Sequence, residues 1–171
     1  DKTVSNISRL IKDKNFIGGE EVINFQNNFS EFNGSKYCLG VANGTDALEI
    51  ALESLDIPKN SEVIVPNFTF LSPAEAVVRG GYKLVLADIN LDDFTISIES
   101  LKKLITKKTR ALIVVHLFGN PCNMLEIKKI TDKHGIKIIE DCSQAHGAKF
   151  RGKIVGNHGD IGTFSFYPTK N

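Results

Sequence analysis

No stretch of this sequence is long and apolar enough to span a bilayer; even Ala111 to Val115 is far too short. Neither sign of charge is in excess, with 21 Lys and Arg against 20 Asp and Glu, so nothing calls for nucleic acid or an anionic membrane as partner. Cysteine is scarce and unpaired. Cys38, Cys122 and Cys142 are an odd number with no CxxC spacing, which argues against a zinc site or a disulfide frame and for reduced thiols, each a small buried residue rather than a nucleophile. No secretory leader pattern precedes the first helical segment. The expectation is a cytoplasmic protein without a metal. No internal repeat, linker or low-complexity tract interrupts the chain. A Gly-rich dinucleotide fingerprint after the first strand is missing, and so is any GxxxxGK[ST] loop, so nicotinamide enzymes and P-loop kinases lose ground.

What is present is alternation. Asp1 to Gly34 reads as helical, with Val22, Ile23, Phe25, Phe29 and Phe32 near helical spacing and Gly34 as a stop. Strands are expected at Tyr37–Val41, Glu62–Val65, Lys83–Ala87, Arg110–Leu117, Lys137–Glu140 and Thr163–Phe166. Helices are expected at Thr45–Leu55, Pro73–Arg79, Ile98–Ile105 with Ser97 as cap, and Met124–His134 between Asn123 and Gly135. Strands alternating with helices predict an α/β fold of three layers, a mostly parallel sheet between helices. Ligands of such sheets bind beyond the carboxyl ends of the strands, so the chemistry is sought there.

Four segments qualify. In Val41-Ala42-Asn43-Gly44-Thr45-Asp46-Ala47-Leu48 a strand turns into a helix through Gly44, which suits an anion, with the Thr45 hydroxyl adding a hydrogen bond. An ordinary Asn-capped helix looks the same. In Val65-Pro66-Asn67-Phe68-Thr69-Phe70 the last ring could lie against a planar ligand, although most such rings are core.

The third segment, Ile138-Ile139-Glu140-Asp141-Cys142-Ser143-Gln144-Ala145-His146-Gly147, closes a buried strand with two acids, which is costly without a partner. Asp141 either caps the next turn or faces a cation such as a protonated ring nitrogen. At about 4 Å the attraction is roughly 4 kcal/mol at an effective dielectric of 20. The fourth, Gly159 to Asn171, delivers Ser165 from an apolar strand and Lys170 in a polar turn. Lysines are mostly solvated, but a desolvated amine can form a Schiff base. His116 and His158 read as structural. His146 stands too near Asp141 and Gln144 to be assigned either way.

Taken together and in order, these segments resemble the DegT/DnrJ/StrS family of sugar aminotransferases, which have the aspartate aminotransferase fold. The resemblance covers nearly the whole chain. It includes Phe16-Ile17-Gly18-Gly19, Asp88 with its loop, His116-Leu117-Phe118-Gly119, Glu140-Asp141-x-x-Gln144-x-x-Gly147 and Phe164-Ser165-Phe166-x-x-x-Lys170-Asn171.

The resemblance implies pyridoxal 5'-phosphate as cofactor, held covalently by Lys170. Asp141 matches the carboxylate on the pyridine nitrogen, Gln144 the side chain near the phenolic oxygen, and Phe70 the ring stacked on the cofactor. Gly44, Thr45 and Ser165 match the phosphate cradle. It further implies that an amino group passes from a donor, usually glutamate, to a keto-sugar on a nucleotide. In that reaction Lys170 moves the proton and Asp141 keeps the ring nitrogen protonated. Lysine at position 170 speaks against the family's dehydratase branch, which carries histidine there. The Asn43-Gly44-Thr45-Asp46-Ala47-Leu48 wording is similar to members that aminate C3 of a dTDP-linked 3-keto-6-deoxyhexose.

Family members are about twice this length and dimeric. Residues 1–171 therefore correspond to the N-terminal part and most of the cofactor-binding large domain, with the smaller C-terminal domain and the family's first residues absent. The expectation is that this piece alone binds cofactor poorly and turns over no substrate, and that the intact enzyme is a homodimer. Two other readings stand beside this one: a non-catalytic or regulatory protein of the same fold, and a same-fold enzyme acting on amino acids or on a 4-keto sugar.

Overall fold

The structure is a computed structural model and describes residues 1–14 and 16–170. It forms two compact units, residues 1–40 and 41–171.

In the first unit, Asp1 caps α1 (Lys2–Lys12) by accepting from Thr3 N, and α2 spans Glu20–Asn33. The single helical stretch expected over Asp1–Gly34 is thus two helices. Gly18 and Gly19, both at positive φ, precede the second. Along α2 the rings of Phe25, Phe29 and Phe32 stand 5.8 and 6.0 Å apart in turn, and Arg9 pairs with Glu21. The strand expected at Tyr37–Val41 does not form. Tyr37 and Leu39 are exposed, and the backbone N–H of Gly40 donates to Gln26 Oε1 at 2.8 Å rather than to a neighbouring strand.

The second unit is an α/β sandwich. Its strands are β1 (Glu62–Pro66), β2 (Lys83–Ala87), β3 (Thr109–Val115), β4 (Lys137–Asp141), the short β5 (Lys149–Phe150) and β6 (Lys153–Ile154), and β7 (Ile161–Thr163). Its helices are α3 (Gly44–Ser54), α4 (Ser72–Arg79), α5 (Ile98–Leu104) and α6 (Met124–His134). Five strands make one sheet in the order β2-β1-β3-β4-β7, parallel at every ladder, and β5 with β6 makes a separate antiparallel pair that the sequence did not announce.

Side-chain alternation along the central strands divides the core in two. Val63, Val65, Ala111, Ile113, Val115 and Ile139 pack with Leu48, Leu52, Ala76 and Val77 of α3 and α4. Ile64, Leu112, Val114 and Ile138, one step out of phase, pack with Leu101 of α5 and Met124 and Ile127 of α6. Each fully buried Leu or Ile contributes about 1.5–3 kcal/mol. Helices therefore cover both faces, as an all-parallel sheet requires.

Two further differences from the sequence expectation bear on the site. The last strand is Ile161–Thr163, so Phe164 to Phe166 lie beyond it. β3 ends at Val115, which leaves His116 and the 3-10 turn Leu117–Gly119 outside the ladder. Among the described residues, no helix is long and apolar enough to cross a membrane.

Candidate functional site

The sheet order changes direction at β1, since β2 lies to one side and β3 to the other. Parallel sheets bind ligands beyond their carboxyl edge at such a point. That edge carries the expected segments: residues 67–71 after β1, Asp88 after β2, His116 to Gly119 after β3, and Asp141 to Gly147 from the end of β4.

Asn43 caps α3, its Oδ1 accepting from Asp46 N at 2.9 Å. The cap serves one first-turn amide and leaves those of Gly44 and Thr45 without intrahelical acceptors. Gly44 is packed close: a Cβ there would stand 3.0 Å from Ser165 Cβ, 3.3 Å from Ser165 Oγ and 3.6 Å from Ser143 Oγ. Thr45 Oγ1 lies 2.7 Å from Ser72 Oγ, so the openings of α3 and α4 meet through two hydroxyls, either of which can donate. The structure thus brings Gly44 and Ser165 together and joins Thr45 to them along the chain.

Asp141 ends β4 almost fully buried and shares a sheet face with Ile139, the face that α3 and α4 cover. Its Oδ1 accepts from Ser143 N at 3.0 Å. Burial pushes its carboxyl above the ordinary value, and the hydrogen bonds from Ser143 with the charge of Lys170 offset only part of that. Lys170, partly buried, is therefore close enough to be felt at Asp141. It is felt at His146 as well, whose imidazole burial pushes down and the Lys170 charge pushes further. His146 packs against Phe164 and Phe166 at ring separations of 5.6 and 5.0 Å.

Gln144 is already engaged, its Oε1 accepting from Phe118 N at 2.8 Å. Phe70 is three-quarters exposed in the loop between β1 and α4. Asn171, the last residue of the run quoted from the sequence, lies outside the described residues.

Sequence reading missed three features here. Ser72 and Ser143 are part of the hydroxyl cluster, and only the fold brings them to α3. Phe68, Phe94 and Phe118, from three different loops, form a chain of ring contacts at 5.6 and 6.0 Å. Glu140, the other half of the acidic pair, accepts from His116 Nε2 at 3.0 Å, both side chains being fully buried.

His116, Glu140 and Cys142 have ligand atoms within 4.8 Å of one another, yet the arrangement is not that of a metal centre. The Nδ1 atom of His116 accepts from Cys122 N, so Nε2 carries the proton it donates to Glu140. Burial holds the Cys142 thiol well above its ordinary value and pushes that of Cys122 up to about 12, against the thiolate a metal would need.

The model of the DegT/DnrJ/EryC1/StrS aminotransferase family matches residues 1–171. The chain belongs to this family.

A relative from Acidithiobacillus ferrooxidans, the UDP-N-acetyl-3-dehydro-alpha-D-glucosamine 3-aminotransferase, is 41% identical over 171 residues, all of this chain and 46% of that protein. The dTDP-3-amino-3,6-dideoxy-alpha-D-galactopyranose transaminase of Aneurinibacillus thermoaerophilus is 42% identical over 160 residues, 94% of this chain and 44% of that one. Among solved structures, the E. coli GDP-4-keto-6-deoxy-D-mannose-3-dehydratase with bound hydrated PLP superposes with a TM-score of 0.91 at 32% identity, covering 96% of this chain and 44% of that chain. This member of the DegT/DnrJ/EryC1/StrS family spans less than half the length of the relatives it matches.

Proposed function

We propose that the protein carrying this chain is a pyridoxal-phosphate aminotransferase that moves an amino group from a donor such as glutamate to a nucleotide-linked keto-sugar. One observation carries the reading: a buried carboxylate, Asp141, ends β4 on the sheet face that α3 covers, where α3 opens through Gly44 close against Ser165.

The residues present fit the cofactor. Gly44 leaves open the space that a Cβ would fill against Ser165, and the spare first-turn amides of α3 suit a phosphate, with the hydroxyls of Thr45 and Ser165 beside them. Asp141 is buried enough to favour a cation, and a protonated pyridine nitrogen is one. Phe70 offers an exposed ring for stacking. Gln144, steadied by Phe118 N, would stand near the phenolic oxygen.

When bound, pyridoxal phosphate supplies a ring that stabilises the electron pair left on carbon after a proton is removed. Lys170 would hold it covalently through Nζ and, once released, carry a proton on that nitrogen to and from the reacting carbon. Asp141 would keep the ring nitrogen protonated. Lys170 favours amination over the dehydration named for the E. coli neighbour.

For the sugar we favour C3, which the A. ferrooxidans and A. thermoaerophilus relatives both carry in their names, and a dTDP-linked 3-keto-6-deoxyhexose in particular. We read residues 1–171 as the front and most of a cofactor-binding large domain in an enzyme that works as a homodimer.

The test is direct. Pyridoxal phosphate is added to the purified protein, the visible spectrum recorded, and the adduct reduced with borohydride and mapped by mass spectrometry. A visible band with the label on Lys170 is expected. A band with the label on other lysines, or none at all in the folded full-length protein, overturns the assignment.

A further inference from the structure

Four N–H groups converge on one buried carboxylate. Glu140 Oε2 accepts from His116 Nε2 at 3.0 Å and from Gly156 N at 2.9 Å, while Oε1 accepts from His158 N and Gly159 N, both at 2.6 Å. Neither Glu140 nor His116 is exposed to solvent. Burial works to raise the Glu140 carboxyl, and the hydrogen bonds from His116, Gly159 and Gly156 outweigh it, so the group sits below its ordinary value and stays ionised.

The loop that supplies three of these donors is shaped to reach them. Gly156 has φ +87°, and a Cβ on it would stand 2.7 Å from Phe164 Cζ; one on Gly159 would stand 2.8 Å from Ile138 O. Behind the loop, Gly162 lies so near Gly156 that an added Cβ would come within 2.5 Å of Gly156 O. The chain comes this close only because side chains are missing where it turns.

The neighbour of this knot is Asp141. Strand alternation sends the Glu140 and Asp141 side chains to opposite faces, so Glu140 cannot touch what Asp141 touches. The two are joined through the backbone and through His116. The N–H of His116 donates to Asp141 O at 3.1 Å, and its ring, steadied by Cys122 N at 3.0 Å, holds Glu140. One histidine thus fastens both acids at the strand end. On the far side, Thr163 pairs with Asp141 in the ladder, and its hydroxyl donates to Glu140 O at 3.3 Å.

We propose that Glu140 and His116 are positioning residues: their buried, fully bonded pair locks the end of β4 so that the Asp141 carboxylate is held in place for the cofactor. This rests on the reading that Asp141 serves the ring nitrogen. Misplacing a charged group by about 1 Å is enough to cost a large factor in such a site. Substitution of Glu140 therefore registers at the cofactor, on the opposite face, and not only in stability.

The test compares wild type, Glu140→Gln, Glu140→Asp and Asp141→Asn in the full chain. Each is loaded with pyridoxal phosphate, and three quantities are read: melting temperature, cofactor dissociation constant, and the position of the visible band across pH. Asp141→Asn moves the band and weakens the cofactor by about tenfold or more while the protein stays folded. Glu140→Gln moves the band in the same direction and weakens the cofactor by about tenfold, because its amide NH₂ faces N–H donors and cannot accept from them. Glu140→Asp, which keeps the charge, falls between wild type and Glu140→Gln.

If Asp141→Asn leaves the band where it was, the reading of Asp141 fails and the positioning role goes with it. If Asp141→Asn moves the band but a folded Glu140→Gln matches wild type in band and affinity, the positioning role alone is overturned. Should both Glu140 variants fail to fold, hydrogen exchange in the unloaded wild-type chain decides. The amides of Gly156, His158 and Gly159 then exchange as slowly as the core strands if the lock is real, and as fast as surface loops if it is not.

Discussion

Gly44 and Ser165 come from opposite ends of the second unit, and the space between them is smaller than a methyl group: a Cβ on Gly44 would lie 3.0 Å from Ser165 Cβ. The contact sets the opening of α3 against the residue that follows β7 by two places. Gly44→Ala is expected to push the Ser165 side chain aside, costing about 1–3 kcal/mol in stability. It is expected to weaken pyridoxal phosphate as well. Chemical denaturation and a cofactor titration measure the two effects separately, and an unchanged dissociation constant would remove Gly44 from the cradle.

The raised carboxyl of Asp141 has a pH signature with a definite sign. In the folded chain it holds its proton to higher pH than in the unfolded chain. The unloaded protein therefore loses stability as pH rises from the ordinary carboxylate value to the raised one. Asp141→Asn, which keeps an acceptor for Ser143 N, is expected to abolish that slope and to melt no lower than wild type at neutral pH. Melting curves across pH check this, and an unaltered slope would mean that another group is responsible.

Thr45 and Ser72 share one hydrogen bond at 2.7 Å. Thr45→Val keeps the shape and removes the oxygen, and the expected loss is about 1 kcal/mol of stability. If the Thr45 hydroxyl also faces the phosphate, cofactor affinity falls by more than that figure converts to. Equal losses in the two measurements would confine Thr45 to holding the helices together.

The three cysteines are expected to separate on alkylation. Cys122 and Cys142 are buried, and burial keeps their thiols protonated, whereas Cys38 is partly exposed with a smaller rise. Mass spectrometry after iodoacetamide treatment should find Cys38 modified first and the other two only on unfolding. Early modification of Cys142 would mean that the end of β4 opens readily.

Much of the second unit could be read from the sequence because its signals are local. Lys83–Ala87 and Met124–His134 occur at the expected limits, the first marked by apolar content and the second by Asn123 and Gly135 at its ends. Tyr37–Val41 failed for a physical reason: a strand exists only in a ladder, and that segment has no ladder partner among the described residues. Thr163–Phe166 slipped because pairing with β4 stops at Thr163, which strand propensity cannot anticipate. At the site, Asp141 could be suspected from its place at the end of a buried strand. Ser72, and the partnership of His116 with Glu140, join residues distant in sequence and carry no local mark.

The wholly parallel central sheet also governs how the chain must fold. No two neighbouring strands can be joined by a tight turn, so each ladder waits for a long crossover to close, helix-bearing from Pro66 to Lys83 for the first pair and from Val115 to Lys137 for the third and fourth. Closing such loops loses chain entropy before any ladder returns it, which places folding on the slow side for a domain of this size. While β3 waits for β4, the apolar run Ala111 to Val115 is an open template for other chains. Yield on refolding should therefore fall with protein concentration, because the strand that β4 and its Asp141 must join is open to capture before its partner arrives.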